Sequence, residues 1–130
     1  MKINWIAGAL LALTTSGAFA ANWVALENDN LLNVSIDPSS LVRQKDHTQV
    51  KVKVVYADPQ PYPSHSFPVR SQVSLWTFDC PGRTWSMGQT TTYGPQAGQV
   101  EVTPEYPNIY DDVPPDSMQY LVMKHVCSKS

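Results

Sequence analysis

Apolar and polar positions alternate along most of this chain, and one stretch breaks the alternation by being apolar on both sides. In Val73-Ser74-Leu75-Trp76-Thr77-Phe78-Asp79-Cys80, a strand puts Trp76, Phe78 and Cys80 on one face and Val73, Leu75 and Thr77 on the other. Such a strand reads as central. Before it, Asn22 to Leu26 predicts a first strand, stopped by the turn-forming Asn28-Asp29-Asn30. Asn33 to Asp37 alternates, with Val34 and Ile36 inward, and completes a hairpin. Asp37-Pro38-Ser39-Ser40 then predicts a turn, Leu41-Val42-Arg43 a short edge strand, and Gln44-Lys45-Asp46 another polar turn. His47 to Ala57 is the longest strand, with Val50, Val52, Val54 and Tyr56 on one face and Lys51, Lys53 and Val55 on the other.

Prolines at 59, 61, 63 and 68 make Asp58 to Pro68 a loop, because proline removes ladder donors and favours extended backbone. After the central strand, Pro81-Gly82 turns into a strand from Arg83 to Tyr93, in which Gly88 predicts a bulge or bend. Val100-Glu101-Val102 is a last short strand, and Pro104 to Pro115 an irregular crossing segment. Pro114-Pro115-Asp116-Ser117 announces a helix, with Asp116 or Ser117 as its cap. Met118, Leu121, Val122, His125 and Val126 follow the spacing of a one-sided helix, so that stripe is expected on the sheet. The fold class is α+β: one antiparallel sheet of about six strands with a C-terminal helix on one face.

The N-terminus and the cysteines set the compartment. Residues 1–20 carry one charge, Lys2, then an apolar run from Trp5 to Leu13 and the small-residue end Ala18-Phe19-Ala20, the pattern of a secretory signal peptide. The mature domain is expected to span 21–130, with no cysteine near the junction for lipid attachment and no segment apolar for long enough to cross a bilayer. Without Lys2 the acidic residues outnumber the basic ones, which disfavours sequence-independent nucleic-acid binding. Two cysteines in an exported chain predict a Cys80–Cys127 disulfide. That bridge pulls the helix over the face bearing Trp76 and Phe78. Val73 and Leu75 then need another cover, for which self-association is a candidate.

Several pieces together resemble the surface-adhesin protein E family of exported bacterial proteins: the Trp23-Val24 opening strand, Ile36-Asp37-Pro38, the strand end Phe78-Asp79-Cys80, Tyr93-Gly94, and Val113-Pro114-Pro115-Asp116-Ser117 with its helix and Cys127. Tyr110 stands where the family pattern has Trp, and Asp116 where it has Gly. The resemblance implies a helix tied to the sheet by the disulfide, a tendency to dimerise, and a binding role at the cell surface toward host matrix and serum proteins. Haem binding is implied by the resemblance alone; the residues themselves call for no cofactor and no metal. The family's namesake is a lipoprotein and this chain lacks the cysteine for that, so periplasmic residence stands beside surface display.

No nucleophile elbow, HExxH or glycine-rich phosphate loop is present, and His47, His65 and His125 fall on a strand start, the proline loop and the helix. A non-enzymatic binding protein is expected, with His125 a core histidine of the apolar stripe. Tyr62, His65 and Phe67 lie on the semi-rigid proline loop and are candidate binding residues, the alternative being a plain connector whose aromatics fold back on the sheet. Lys51 and Lys53, near Lys45 and Arg43, could meet an acidic partner or simply be a solvated face. Asn33-Val34-Ser35 matches a glycosylation acceptor by chance. Two functions follow: an adhesin-like module for extracellular or host matrix and serum proteins, or a periplasmic inhibitor or accessory protein with one dedicated protein partner.

Overall fold

The computed structural model describes residues 22–105 and 109–127; the expected signal peptide over 1–20 and its expected cleavage site lie outside the described residues. The strands are β1 (Val24–Asn28), β2 (Leu32–Arg43), β3 (His47–Gln60), β4 (Val69–Asp79), β5 (Thr84–Tyr93), β6 (Val100–Thr103) and β7 (Asp111–Asp112), followed by helix α1 (Met118–Cys127). They form one sheet in the order β1-β2-β3-β4-β5-β6, each antiparallel to the next, with β7 beside the other half of β5. Every neighbour along β1 to β6 is also a neighbour in sequence, so short hairpins suffice to build the sheet. The first turn is closed by the Asp29 carboxylate, which accepts the amides of Leu31 and Leu32 at 2.8 and 3.0 Å. Gln44 and His47 exchange backbone bonds across the second.

Several elements differ from the sequence reading. Asp37-Pro38-Ser39-Ser40 does not turn the chain; it is a bulge inside one long strand, where the pairing jumps from Asp37–Lys51 to Val42–Gln49. The Ser40 hydroxyl accepts the Lys51 amide at 2.8 Å and donates to the Asp37 carbonyl at 2.6 Å, so a side chain replaces the ladder acceptor displaced by the bulge. Strand β3 runs on through Asp58 and Pro59 to Gln60, with Pro59 inside a second bulge between Val55 and Gln60, a place that tolerates a missing donor. Strand β4 accordingly begins at Val69, not Val73. Within the supposedly irregular segment, Asp111 and Asp112 add a two-residue strand to Thr84 and Trp85. The expected bulge at Gly88 is present opposite Leu75, and a Cβ there would stand 3.0 Å from the Leu75 carbonyl oxygen.

The core lies between the sheet and α1: Val34, Ile36, Val50, Val52, Trp76, Phe78, Val122, Met123 and Val126 are buried together. The Trp76 indole N–H donates to the Ser74 hydroxyl at 2.9 Å, satisfying a buried donor. Cys80 and Cys127 form a disulfide with Cα atoms 5.7 Å apart, and it sets which way the helix faces. The buried residues are Val122, Met123 and Val126, whereas His125 is exposed. At 100° per residue this stripe is turned by roughly 80° from the predicted one of Met118, Leu121, Val122, His125 and Val126, toward Cys127. His125 is therefore not a core histidine. Ser117 caps the helix by accepting the Tyr120 amide at 3.1 Å, and Arg43 donates to the Val126 carbonyl at 2.6 Å at the other end.

Candidate binding site

The proline loop folds onto the same sheet face as the helix, held toward the β6 side of the sheet, whereas the helix lies over β2 and β3. Glu101 brings it there. It pairs with Thr92, so it lies on the opposite face from Val100 and Val102. Its carboxylate accepts from His65 Nδ1 at 2.6 Å, from the Ser66 hydroxyl at 2.8 Å and from the Ser66 amide at 3.4 Å. The His65 bond, then those of Ser66, hold the Glu101 carboxyl below its ordinary range. The loop is also braced within: the His65 amide donates to the Tyr62 carbonyl at 3.0 Å, and the Tyr62 hydroxyl meets that of Tyr56 at 3.2 Å. Burial, then the bond to Tyr62, raises the Tyr56 phenol above its ordinary value.

The result is an open hollow of about 370 Å³ lined by residues 61–63 and 65–68. Tyr62, His65 and Phe67 all line it, but they are not equivalent. Tyr62 is exposed. His65 is mostly covered, its ring edge-on to Tyr62 at 6.3 Å and stacked with Phe67 at 6.4 Å. Phe67 is buried and lies against Gly94, where an added Cβ would come 2.7 Å from the ring. Its ring is thus a plug under the loop more than a free anchor. Sequence reasoning missed Glu101, Tyr56 and Gly94, although the valines on either side of Glu101 already placed it on the other face.

The lysines do not form one cluster. Lys51 stands opposite Asp37 and Leu75, and Lys53 lies between Ser35 and Val73 with its ammonium 5.0 Å above the Trp23 ring. Arg43 is committed to the helix end, and Lys45 sits in the β2–β3 turn. Both strand lysines, with Val73 and Leu75, belong to the face away from α1, which continues through Tyr93, Val100 and Val102, all three exposed. His47 is edge-on to Tyr110 at 5.7 Å, far along the chain from the loop. Among the described residues, no three His, Cys, Asp or Glu side chains are placed to hold a metal ion. The hollow does not suit haem either: His65 is the one histidine lining it, its Nδ1 is bonded to Glu101, and its ring is stacked with Phe67 and edge-on to Tyr62. No helix among the described residues is long and apolar enough to cross a membrane.

A meandering antiparallel sheet, one disulfide-tethered C-terminal helix and a braced aromatic loop define a small α+β domain. The profile of the family described as Surface-adhesin protein E matches residues 23–128, and the chain belongs to that family. Solved structures of Haemophilus influenzae protein E share the fold. One crystal form superposes with a TM-score of 0.55 at 16% identity, covering 84% of this chain and 89% of that one. A structure from a non-typeable strain gives 0.52 at 17%, covering 84% and 77%. A search of curated proteins finds no match to this sequence.

Proposed function

We propose that this protein is an exported, non-enzymatic adhesin whose 21–130 domain binds extracellular or host matrix and serum proteins. The observation that carries the reading is membership of the surface-adhesin family over residues 23–128, to which the hollow at Tyr62, His65 and Phe67 adds a rigid aromatic surface of the kind that anchors protein contacts. Lys51 and Lys53 on the opposite face are the second binding candidate. An antibody to the domain that labels intact cells, together with capture of purified matrix or serum protein by the domain, supports this function. Release only on osmotic shock, with no such capture, refutes it in favour of a periplasmic inhibitor or accessory protein.

The same reading includes a homodimer through the sheet face away from α1. Val73 and Leu75 are half-buried there, and Val100 and Val102 are exposed beside them. Sedimentation at micromolar concentration is expected to show a dimer, and Leu75→Lys to shift it to monomer; a wild-type protein monomeric at high concentration refutes the arrangement.

A further inference from the structure

We propose that the hollow under the proline loop is a docking site for an uncharged, proline-rich segment of a partner protein in the extended polyproline conformation. This rests on the reading of the protein as a protein-binding module and names the chemistry its hollow takes.

Charge is the first discriminator. Among the described residues, no Asp, Glu, Lys or Arg lines the hollow. The nearest carboxylate bonded to the loop, Glu101, already accepts three hydrogen bonds from His65 and Ser66. A charged segment would lose its hydration there and find no counter-charge, so an uncharged one is favoured.

Hydrogen-bonding capacity narrows the class further. In the Tyr56–Tyr62 hydroxyl pair one oxygen donates to the other, and the accepting hydroxyl keeps a hydrogen of its own. The pair is exposed, so that hydrogen is available to a ligand acceptor in exchange for water. A proline-rich segment is a chain of carbonyl acceptors without backbone N–H groups, so it can take that bond and leaves no donor unsatisfied among the rings. The walls suit it as well: the pyrrolidine rings of Pro61, Pro63 and Pro68 stand among the rings of Tyr62, His65 and Phe67, and extended proline segments pack against such ring-lined surfaces. Neither side loses much freedom on binding. The loop is pinned by Glu101 and by its own turn at Tyr62–His65, and the ligand's backbone is already stiff.

The test is titration of acetylated, amidated decaproline into the purified protein, followed by calorimetry and by backbone amide shifts. Saturable binding is expected, with shifts confined to residues 56–68 and the neighbouring β6, and no binding of a Gly-Ser peptide of equal length. Tyr62→Ala, a change at an exposed residue, is expected to weaken binding at least tenfold with unchanged near-ultraviolet circular dichroism. The proposal is overturned by absence of saturable binding, by equal binding of the Gly-Ser peptide, by shifts that map to the Lys51 and Leu75 face, or by a Tyr62→Ala protein that binds as well as wild type. Capture of a matrix protein that persists under saturating decaproline overturns this inference and leaves the adhesin reading standing; decaproline binding by a protein confined to the periplasm does the reverse.

Discussion

Truncation of Phe67 tests whether the loop aromatics divide into a plug and an anchor. Phe67 is 9% exposed, stacked on His65 and pressed against Gly94, whereas Tyr62 is 39% exposed. Removing a buried phenylalanine ring costs about 3 kcal/mol or more, since the lost transfer energy is joined by the cavity left behind. For a domain of this size each kcal/mol lowers the melting temperature by about 4–8 °C, so Phe67→Ala is expected to melt about 12–24 °C lower. Tyr62 is already exposed, so Tyr62→Ala leaves a smaller void and is expected to cost under about 1 kcal/mol. Thermal melts and urea titrations of both variants give the comparison, and an unchanged urea slope would confirm that the loss lies in stability and not in the unfolded state. Gly94→Ala provides the reciprocal view. Its methyl meets the Phe67 ring and Gln99, so the two substitutions together are expected to cost less than their sum. A Phe67→Ala protein melting within about 4 °C of wild type would refute the plug and return Phe67 to the surface.

Other consequences can be checked separately. Cys127→Ser opens a bridge spanning 47 residues and is expected to cost about 4 kcal/mol, read by urea denaturation, while native unreduced protein should yield no alkylatable thiol by mass spectrometry. Asp116 has φ 60°, the left-handed region that favours glycine, which accounts for the glycine of the family pattern; Asp116→Gly is expected to raise stability by about 0.5 kcal/mol, and a loss of more than that would show that the side chain matters. The depressed Glu101 carboxyl contributes to loop anchoring fully above the ordinary glutamate value of 4.5 and loses that contribution as pH falls through its lower folded value. The His65 and Ser66 amide resonances are therefore expected to shift in a step below pH 4.5, a step missing in Glu101→Gln; a transition centred above that value would show another group in control.

The site was half legible in the chain. Tyr62, His65 and Phe67 are neighbours in sequence, so their grouping needed no tertiary contact. Their inequality did. The burial of Phe67 depends on Gly94, and the clamp on His65 depends on Glu101, a residue 36 positions away. The proline loop is also shorter than its prolines predict, because prolines argue against a ladder only where an amide must donate, and a bulge in β3 removes that need at Pro59.

What the sequence determined by itself was whatever repeats with a short period or rests on neighbours: the alternation that makes β3 and β4, the turn chemistry at Asp29 and Ser117, the bulge at Gly88, and the pairing of the only two cysteines. These are local properties, and local backbone physics decides them. The tertiary structure decided what a period cannot express. Four residues from Pro38 to Leu41 stay in a strand because one serine hydroxyl stands in for a backbone acceptor. The helix turns Met123 inward and His125 outward because a distant disulfide at Cys80 competes with the stripe's own periodicity and, being covalent, wins.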